Sequence, residues 1–112
     1  MCYTLDMLKK PRKRRSDRNY LVYTITNQVT GDQYIGITVR TQTVFRTLRR
    51  RIQKHVQRAL AEPKDWALSQ NIRTYGAEAF TFGFVEQIRG RKPAYQRERE
   101  LIREYQPALN TF

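Results

Sequence analysis

Apolar and polar residues alternate near the start of the chain in a way that predicts a β-hairpin. Residues 21–26 and 34–38 are rich in Val, Ile, Thr and Tyr, which favour extended strands. Residues 27–32, between them, contain the Asn, Gly and Asp typical of turns. Tyr23 and Tyr34 then lie on neighbouring strands, where they form either a small polar site or ordinary cross-strand packing.

Helical periodicity dominates the rest of the chain and is interrupted by one more strand. Four-residue spacing of apolar residues predicts a long helix over 43–61. The patterns further predict a helix over 64–75, a strand over 80–86 and a helix over 94–105. The order β-β-α-α-β-α predicts one small α/β (α+β) domain, with a three-stranded antiparallel sheet flanked by helices. The predicted apolar stripe of the first helix comprises Val44, Phe45, Leu48, Ile52, Val56, Ala59 and Leu60.

Charge points to a polyanionic partner. The chain has 22 Lys and Arg against 10 Asp and Glu, a net charge of +12. Nucleic acid is the first candidate and an anionic membrane the second, but the absence of a long apolar run or lipidation motif predicts no membrane association. The single Cys2 excludes an internal disulfide and predicts a reducing, cytoplasmic compartment.

The first residues form a separate, strongly basic segment. We interpret residues 1–19 as a basic flexible arm and residues 20–112 as the folded domain. The arm is either a solvated tail or a phosphate-binding element. Its candidate nucleic-acid contacts are Lys9, Lys10, Arg12, Lys13, Arg14 and Arg15.

Glu98 is the most informative charged residue within the predicted domain. It lies at the centre of the apolar stripe of the last helix, where Ala94, Leu101, Ile102 and Tyr105 are its companions. Burying a carboxylate costs several kcal/mol unless it has a partner, so Glu98 needs an arginine or a metal ion. Both alternatives remain open from the sequence.

The long helix predicts two kinds of basic position. Arg46, Arg50 and Lys54 lie opposite its apolar stripe, as a solvated or DNA-facing surface. Arg51 and His55 lie one turn apart along a border of the stripe, from which they can reach the edge of the sheet.

Several of these motifs together resemble the GIY-YIG endonuclease family. Tyr34-Ile35-Gly36 matches the second signature of the family, and Leu21-Val22-Tyr23 resembles the first without its leading glycine. The similarity covers about residues 20–110. It includes five separated polar positions: Tyr23, Tyr34, Arg51, Glu98 and Asn110.

The spacing around the essential arginine supports one assignment and leaves an alternative. A leucine three residues before Arg51 and His55 four residues after it resemble the family's helix. The interval from Gly36 to Arg51 is longer than is usual in the family, which implies an insertion over 38–47. If the insertion lies elsewhere, Arg46 is the alternative arginine.

The resemblance implies a metal-dependent DNA endonuclease that hydrolyses phosphodiester bonds, with one active site for each strand. It implies one divalent ion, Mg²⁺ with Mn²⁺ as a substitute, held by Glu98 and water. Arg51 would bind the phosphate. Tyr23, assisted by Tyr34, would orient or deprotonate the attacking water, with His55 as an alternative base or phosphate contact.

Three further expectations accompany this assignment. Asn110 would fix the C-terminal segment beneath the site by hydrogen bonds. The protein would act as a monomer or as a DNA-induced dimer. The first competing interpretation is a non-catalytic nucleic-acid-binding module, which accounts for the charge but not for Glu98 on an apolar face. The second is a regulated nuclease subunit.

Overall fold

The computed structural model of the chain describes residues 18–61 and 66–110. The predicted element order and the three-stranded antiparallel sheet are confirmed. The basic run at 9–15 and the predicted helix start at 64–65 lie outside the described residues. The elements are β1 (Asn19–Asn27), β2 (Gln33–Val39), α1 (Val44–Ala61), α2 (Ala67–Tyr75), β3 (Phe80–Arg89) and α3 (Arg91–Tyr105), with a 3₁₀ turn (Ala77–Ala79) before β3.

Strand β1 is the centre of the sheet, in the order β2-β1-β3, and it pairs antiparallel with both neighbours. Asn19, the last residue of the predicted arm, already pairs in β1. The predicted turn closes the β1–β2 hairpin through a hydrogen bond from Asn27 N to Asp32 O, at 2.9 Å. Gly31 takes the positive φ of 81° that this turn requires.

Helices cover both faces of the sheet, so alternate side chains of β1 enter two different cores. Leu21, Tyr23 and Ile25 pack on one face with residues of α1 and α2. Val22 packs on the other face with Leu101 of α3. This arrangement makes β1 buried on both sides, which accounts for its nearly continuous run of apolar residues.

A β-bulge explains why β3 extends to Arg89 instead of ending at residue 86 as predicted. Tyr23 pairs with Phe84 while its neighbour Val22 pairs with Glu86, so Val85 is an extra residue in β3. A bulge shifts the alternation of side chains by one position. The alternation of apolar residues therefore breaks off at Glu86, although the strand continues to Arg89.

The buried face of α1 departs from the predicted stripe. Leu60 and Phe45 are 70% and 62% exposed, so their assignment to the stripe was wrong. Steps of four residues advance more than one helical turn, which rotates such a stripe by about 40° per step. The face that packs on the sheet instead follows a spacing of four, three and four residues, through Leu48, Ile52, His55 and Ala59.

Helix α3 differs from its prediction at its start and in one residue of its stripe, and it ends at Tyr105 as predicted. It begins at Arg91 rather than residue 94, because a proline in the first helical turn needs no hydrogen-bond partner for its nitrogen. Tyr105 is 64% exposed and does not belong to the buried stripe, which contains Ala94 and Leu101. Helix α2 likewise starts later than predicted, at Ala67. None of the helices in the described ranges combines the length and apolar composition that crossing a bilayer requires.

Candidate active site

A glycine on β2 makes room for two tyrosine rings above the sheet. Gly36 pairs with Tyr23 across the β1–β2 ladder. A Cβ atom at position 36 would lie 2.6 Å from both Cζ and the hydroxyl oxygen of Tyr23, and 2.7 Å from Cε1 of Tyr34. Any larger residue would collide with both rings, whose centroids are 6.3 Å apart. Gly36 therefore permits the two phenols to meet on the α1 side of the sheet.

Helix α1 brings two basic side chains to the Tyr23 hydroxyl. His55 Nε2 lies 2.8 Å from that oxygen, and Arg51 Nε donates a hydrogen bond to it at 3.3 Å. The His55 ring also packs edge-on against Tyr34, with centroids 5.3 Å apart. The face of α1 that is turned toward the sheet thus places both predicted basic residues at the tyrosine pair.

Burial sets the protonation states in this cluster. Desolvation, with the nearby Arg51 and Arg58 guanidinium groups, lowers the pKa of His55 from 6.5 to about 4. Desolvation and the neighbouring Tyr34 raise the pKa of Tyr23, although Arg51 offsets part of this effect. At neutral pH, Tyr23 is therefore protonated and His55 is neutral, and the tautomer of the imidazole sets which of the two donates the hydrogen bond between them.

Glu98 enters the same site from α3, on the other side of the sheet. A hollow of about 540 Å³ is lined by Tyr34, Arg51, His55, Glu98 and Asn110, among others. Glu98 is half-buried, and burial raises the pKa of its carboxyl group while Arg99 partly counteracts the rise. Within residues 18–61 and 66–110 it has no hydrogen-bond or ion-pair partner. The Glu–Arg pair, one of the two predicted alternatives, is not formed among these residues.

The C-terminal segment covers the outer edge of β2 through Asn110. The side-chain amide of Asn110 accepts a hydrogen bond from Ile35 N and donates one to Ile35 O, each at 2.8 Å. Leu109 N adds a backbone hydrogen bond to Gln33 O, at 3.0 Å. These bonds satisfy the edge strand beside Tyr34 and hold the chain terminus against the hollow.

The other basic residues of α1 lie outside the hollow. Arg46, Arg50 and Lys54 are exposed, and Arg50 and Lys54 line an adjoining hollow that they share with Arg51. Arg46 lines neither hollow, so the structure brings Arg51, and not the alternative arginine, to the tyrosines. The arm cations Lys9 to Arg15 lie outside the described residues.

Sequence reasoning missed Arg58, which also lines the active-site hollow. The helical spacing indicates this residue, because position 58 lies about two helical turns beyond Arg51 and one turn beyond His55. The described residues contain no group of three or more His, Cys, Asp or Glu side chains that could hold a metal ion. A metal here would depend on Glu98 and on water.

Comparisons with known proteins agree with this architecture. The catalytic domain of the homing endonuclease I-TevI superposes with a TM-score of 0.61 at 19% identity, covering 83% of this chain and 95% of that one. A glutamate-to-alanine mutant of the catalytic domain of the intron endonuclease I-TevI gives a TM-score of 0.63 at 17% identity, with 84% and 91% covered. None of the curated proteins matches the sequence significantly. The family model of the GIY-YIG catalytic domain matches residues 19–111, and the chain therefore belongs to the GIY-YIG nuclease family.

Proposed function

We propose that this protein is a metal-dependent DNA endonuclease that hydrolyses phosphodiester bonds, with one active site cutting one strand. The observation that carries the proposal is the half-buried Glu98 carboxylate, which no described residue pairs with and which lies in the same hollow as Arg51 and the Tyr–His cluster. A carboxylate repels phosphate unless a cation lies between them, so a purely binding surface gains nothing from Glu98. The two I-TevI domains are described as parts of an endonuclease, which supports the same class of reaction.

The donor set fits a hard divalent cation, and we propose Mg²⁺, with Mn²⁺ as a substitute. Glu98 offers carboxylate oxygens and no competing partner in the described part of the chain. Mg²⁺ commonly binds through one or two carboxylates and keeps several waters, so one glutamate suffices. When bound, the ion would stabilise negative charge on the scissile phosphate and the leaving oxygen.

Arg51 is the residue that we assign to the phosphate. Its Nε is engaged by Tyr23, which holds the guanidinium plane in place, and its terminal nitrogens have no hydrogen-bond partner among the described residues. A guanidinium group that is already oriented can bind the developing charge without reorganising. Arg58, which lines the same hollow, adds positive charge at the site.

We assign the attacking water to Tyr34 and His55, with Tyr23 as the residue that orients them. Tyr23 has no exposed surface, whereas Tyr34 and His55 both line the hollow. The sequence alone favoured a direct contact between Tyr23 and water; its burial favours Tyr34 in that position. The neutral His55 imidazole has one unprotonated nitrogen, which would take up the proton that water loses.

Plasmid DNA provides the direct test of this proposal. Supercoiled plasmid incubated with the protein should become nicked in the presence of Mg²⁺ and remain intact with a chelator. Linear product would require a second active site or a second nick. Binding without any cleavage under either condition would contradict the proposal and favour the non-catalytic module.

We further propose that the basic arm, which lies outside the described residues, adds affinity that does not depend on base sequence. Six of the seven residues from 9 to 15 are Lys or Arg. Such contacts release counterions from the phosphate backbone and do not read bases.

A further inference from the structure

A second basic surface lies on α3 and is absent from the motifs that identify the family. Arg91, Lys92, Tyr95, Gln96 and Arg99 line one hollow of about 620 Å³, and we call these five residues the α3 basic surface. All five are exposed at least in part. None of its three cations forms an ion pair within the described ranges of the chain.

On the opposite side of α3, the cation Arg97 is paired with two carboxylates. Arg97 Nε lies 2.5 Å from a carboxylate oxygen of Glu86, and its Nη1 lies 3.3 Å from one of Glu100. Carboxylates therefore neutralise Arg97, whereas on the α3 basic surface Glu100 contacts only Gln96, through a hydrogen bond of 3.4 Å, and pairs with none of its three cations in the described ranges. Grouped cations repel one another, and a polyanion bound along them relieves this repulsion.

The α3 basic surface also carries neutral hydrogen-bond donors in defined positions. The ring of Tyr95 is held edge-on by Tyr20, with centroids 6.2 Å apart, and the Arg91 guanidinium carbon lies 5.6 Å from its centroid. Tyrosine hydroxyl and glutamine amide groups are common donors to phosphate oxygens. Tyr95 thus adds its hydroxyl group to the three cations, and Gln96 adds the second hydrogen of an amide whose first is donated to Glu100.

This surface and the candidate active site are neighbours on α3, where Glu98 and Arg99 are consecutive residues. Glu98 lines the active-site hollow, and Arg99 lines the α3 basic surface. Arg91 precedes Glu98 by seven residues, which is about 10 Å along the helix axis. Phosphates on one strand of duplex DNA are spaced by 3.4 Å along the axis, so this length corresponds to about three base pairs.

We propose that the α3 basic surface binds the phosphate backbone of the DNA that flanks the scissile bond, over about three base pairs on one side of the cut. The proposal rests on the proposed nuclease function and deepens it, since it states where the flanking DNA runs. It assigns no base recognition to this surface, because its cations and hydroxyl group suit phosphate oxygens.

Salt-dependent binding of a short fluorescent DNA duplex tests this surface without cleavage, because a chelator is present throughout. Lys92→Gln and Arg99→Gln should each make the slope of log Kd against log salt shallower by about one unit. Arg97→Gln is the matched control: it removes one positive charge from the same helix, but from the paired side. It should leave the slope unchanged. Circular dichroism melting of each variant establishes that all of them fold.

The outcomes separate this inference from the proposed function. Equal slope changes in Arg97→Gln and Arg99→Gln would reveal only an effect of total charge and would overturn the inference, as would no change in Lys92→Gln and Arg99→Gln. If the slopes follow the expected pattern but the wild-type protein cuts no plasmid, the surface is supported and the nuclease proposal fails.

Discussion

The Tyr23 hydroxyl lies 2.8 Å from His55 Nε2, and this bond joins the central strand of the sheet to helix α1. It connects two residues that are 32 positions apart in the sequence. Because the pKa of His55 is lowered to about 4, the imidazole is neutral at physiological pH, and the bond joins two uncharged groups. The Tyr23–His55 bond therefore links a fully buried core residue to a residue that lines the candidate active site.

Protonation of His55 should weaken the fold in acid. The ordinary pKa of 6.5 applies to the unfolded chain, whereas the folded chain has a pKa of about 4, so between these values the unfolded state binds more protons. The free energy of unfolding should therefore rise with pH through this window and level off above it. We expect the melting temperature of the wild type, relative to that of His55→Gln, to increase from about pH 4 to about pH 6.5. A relative melting temperature that falls over this range would contradict the assignment.

Replacement of Glu98 should separate activity from stability. Glu98→Gln keeps the shape of the side chain but removes the charge, so metal-dependent cleavage should be abolished. DNA binding should be preserved or strengthened, because a negative charge near the phosphate is gone. The burial that raises the pKa of Glu98 also predicts that the variant melts at a higher temperature at neutral pH. Cleavage at the wild-type rate would remove Glu98 from the catalytic residues.

Arg51 should differ in kind from its exposed neighbours on α1. Arg51→Ala should lower the cleavage rate by roughly 10²–10³, as expected on loss of an oriented contact to the transition state. Arg50→Ala is the matched control, since Arg50 is exposed and precedes Arg51 directly. It should weaken binding and leave the rate at saturating protein almost unchanged. If Arg46→Ala is the inactive variant, the insertion in the sequence has been placed wrongly.

Gly36→Ala should damage both the fold and the site. The added methyl group would lie 2.6 Å from the ring of Tyr23, which is fully buried and cannot move away. We expect a loss of about 1–3 kcal/mol in the free energy of unfolding, measured by urea denaturation, together with loss of cleavage. In Gly83→Ala, the added atom meets only the Thr24 hydroxyl oxygen, at 3.0 Å, so this control should be milder. Equal stability of the two variants would show that the space at Gly36 is not needed.

The sequence by itself determined the order of elements and the hairpin. These features depend on local properties: β-branched and aromatic residues in 21–26, turn residues before Gln33, and helical spacing in 43–61. The predicted element boundaries were less accurate where a nonlocal contact intervened. The bulge opposite Tyr23 is one such case, because only the pairing with β1 reveals that Val85 is an extra residue.

The sequence also identified the family, because motif spacing is visible without a structure. It suggested Arg51 and Glu98 but could not decide what each of them contacts. The sequence left Arg46 as an alternative because it does not show how α1 is rotated against the sheet. It left a Glu98–Arg pair open because it does not show where α3 lies. Which face of a helix meets the sheet depends on its rotation, and small errors in period accumulate along a long helix.

Only the tertiary structure decided how the site is assembled. The bonds from Asn110 to the β2 edge, the buried Tyr23–His55 pair and the hollow that Glu98 shares with Arg51 all bring together segments that are distant in sequence. The same is true of the pKa shifts, since desolvation depends on what surrounds a group and not on its neighbours along the chain. Residue spacing specifies which side chains are available, and the packing of helices on both faces of the sheet specifies which of them meet.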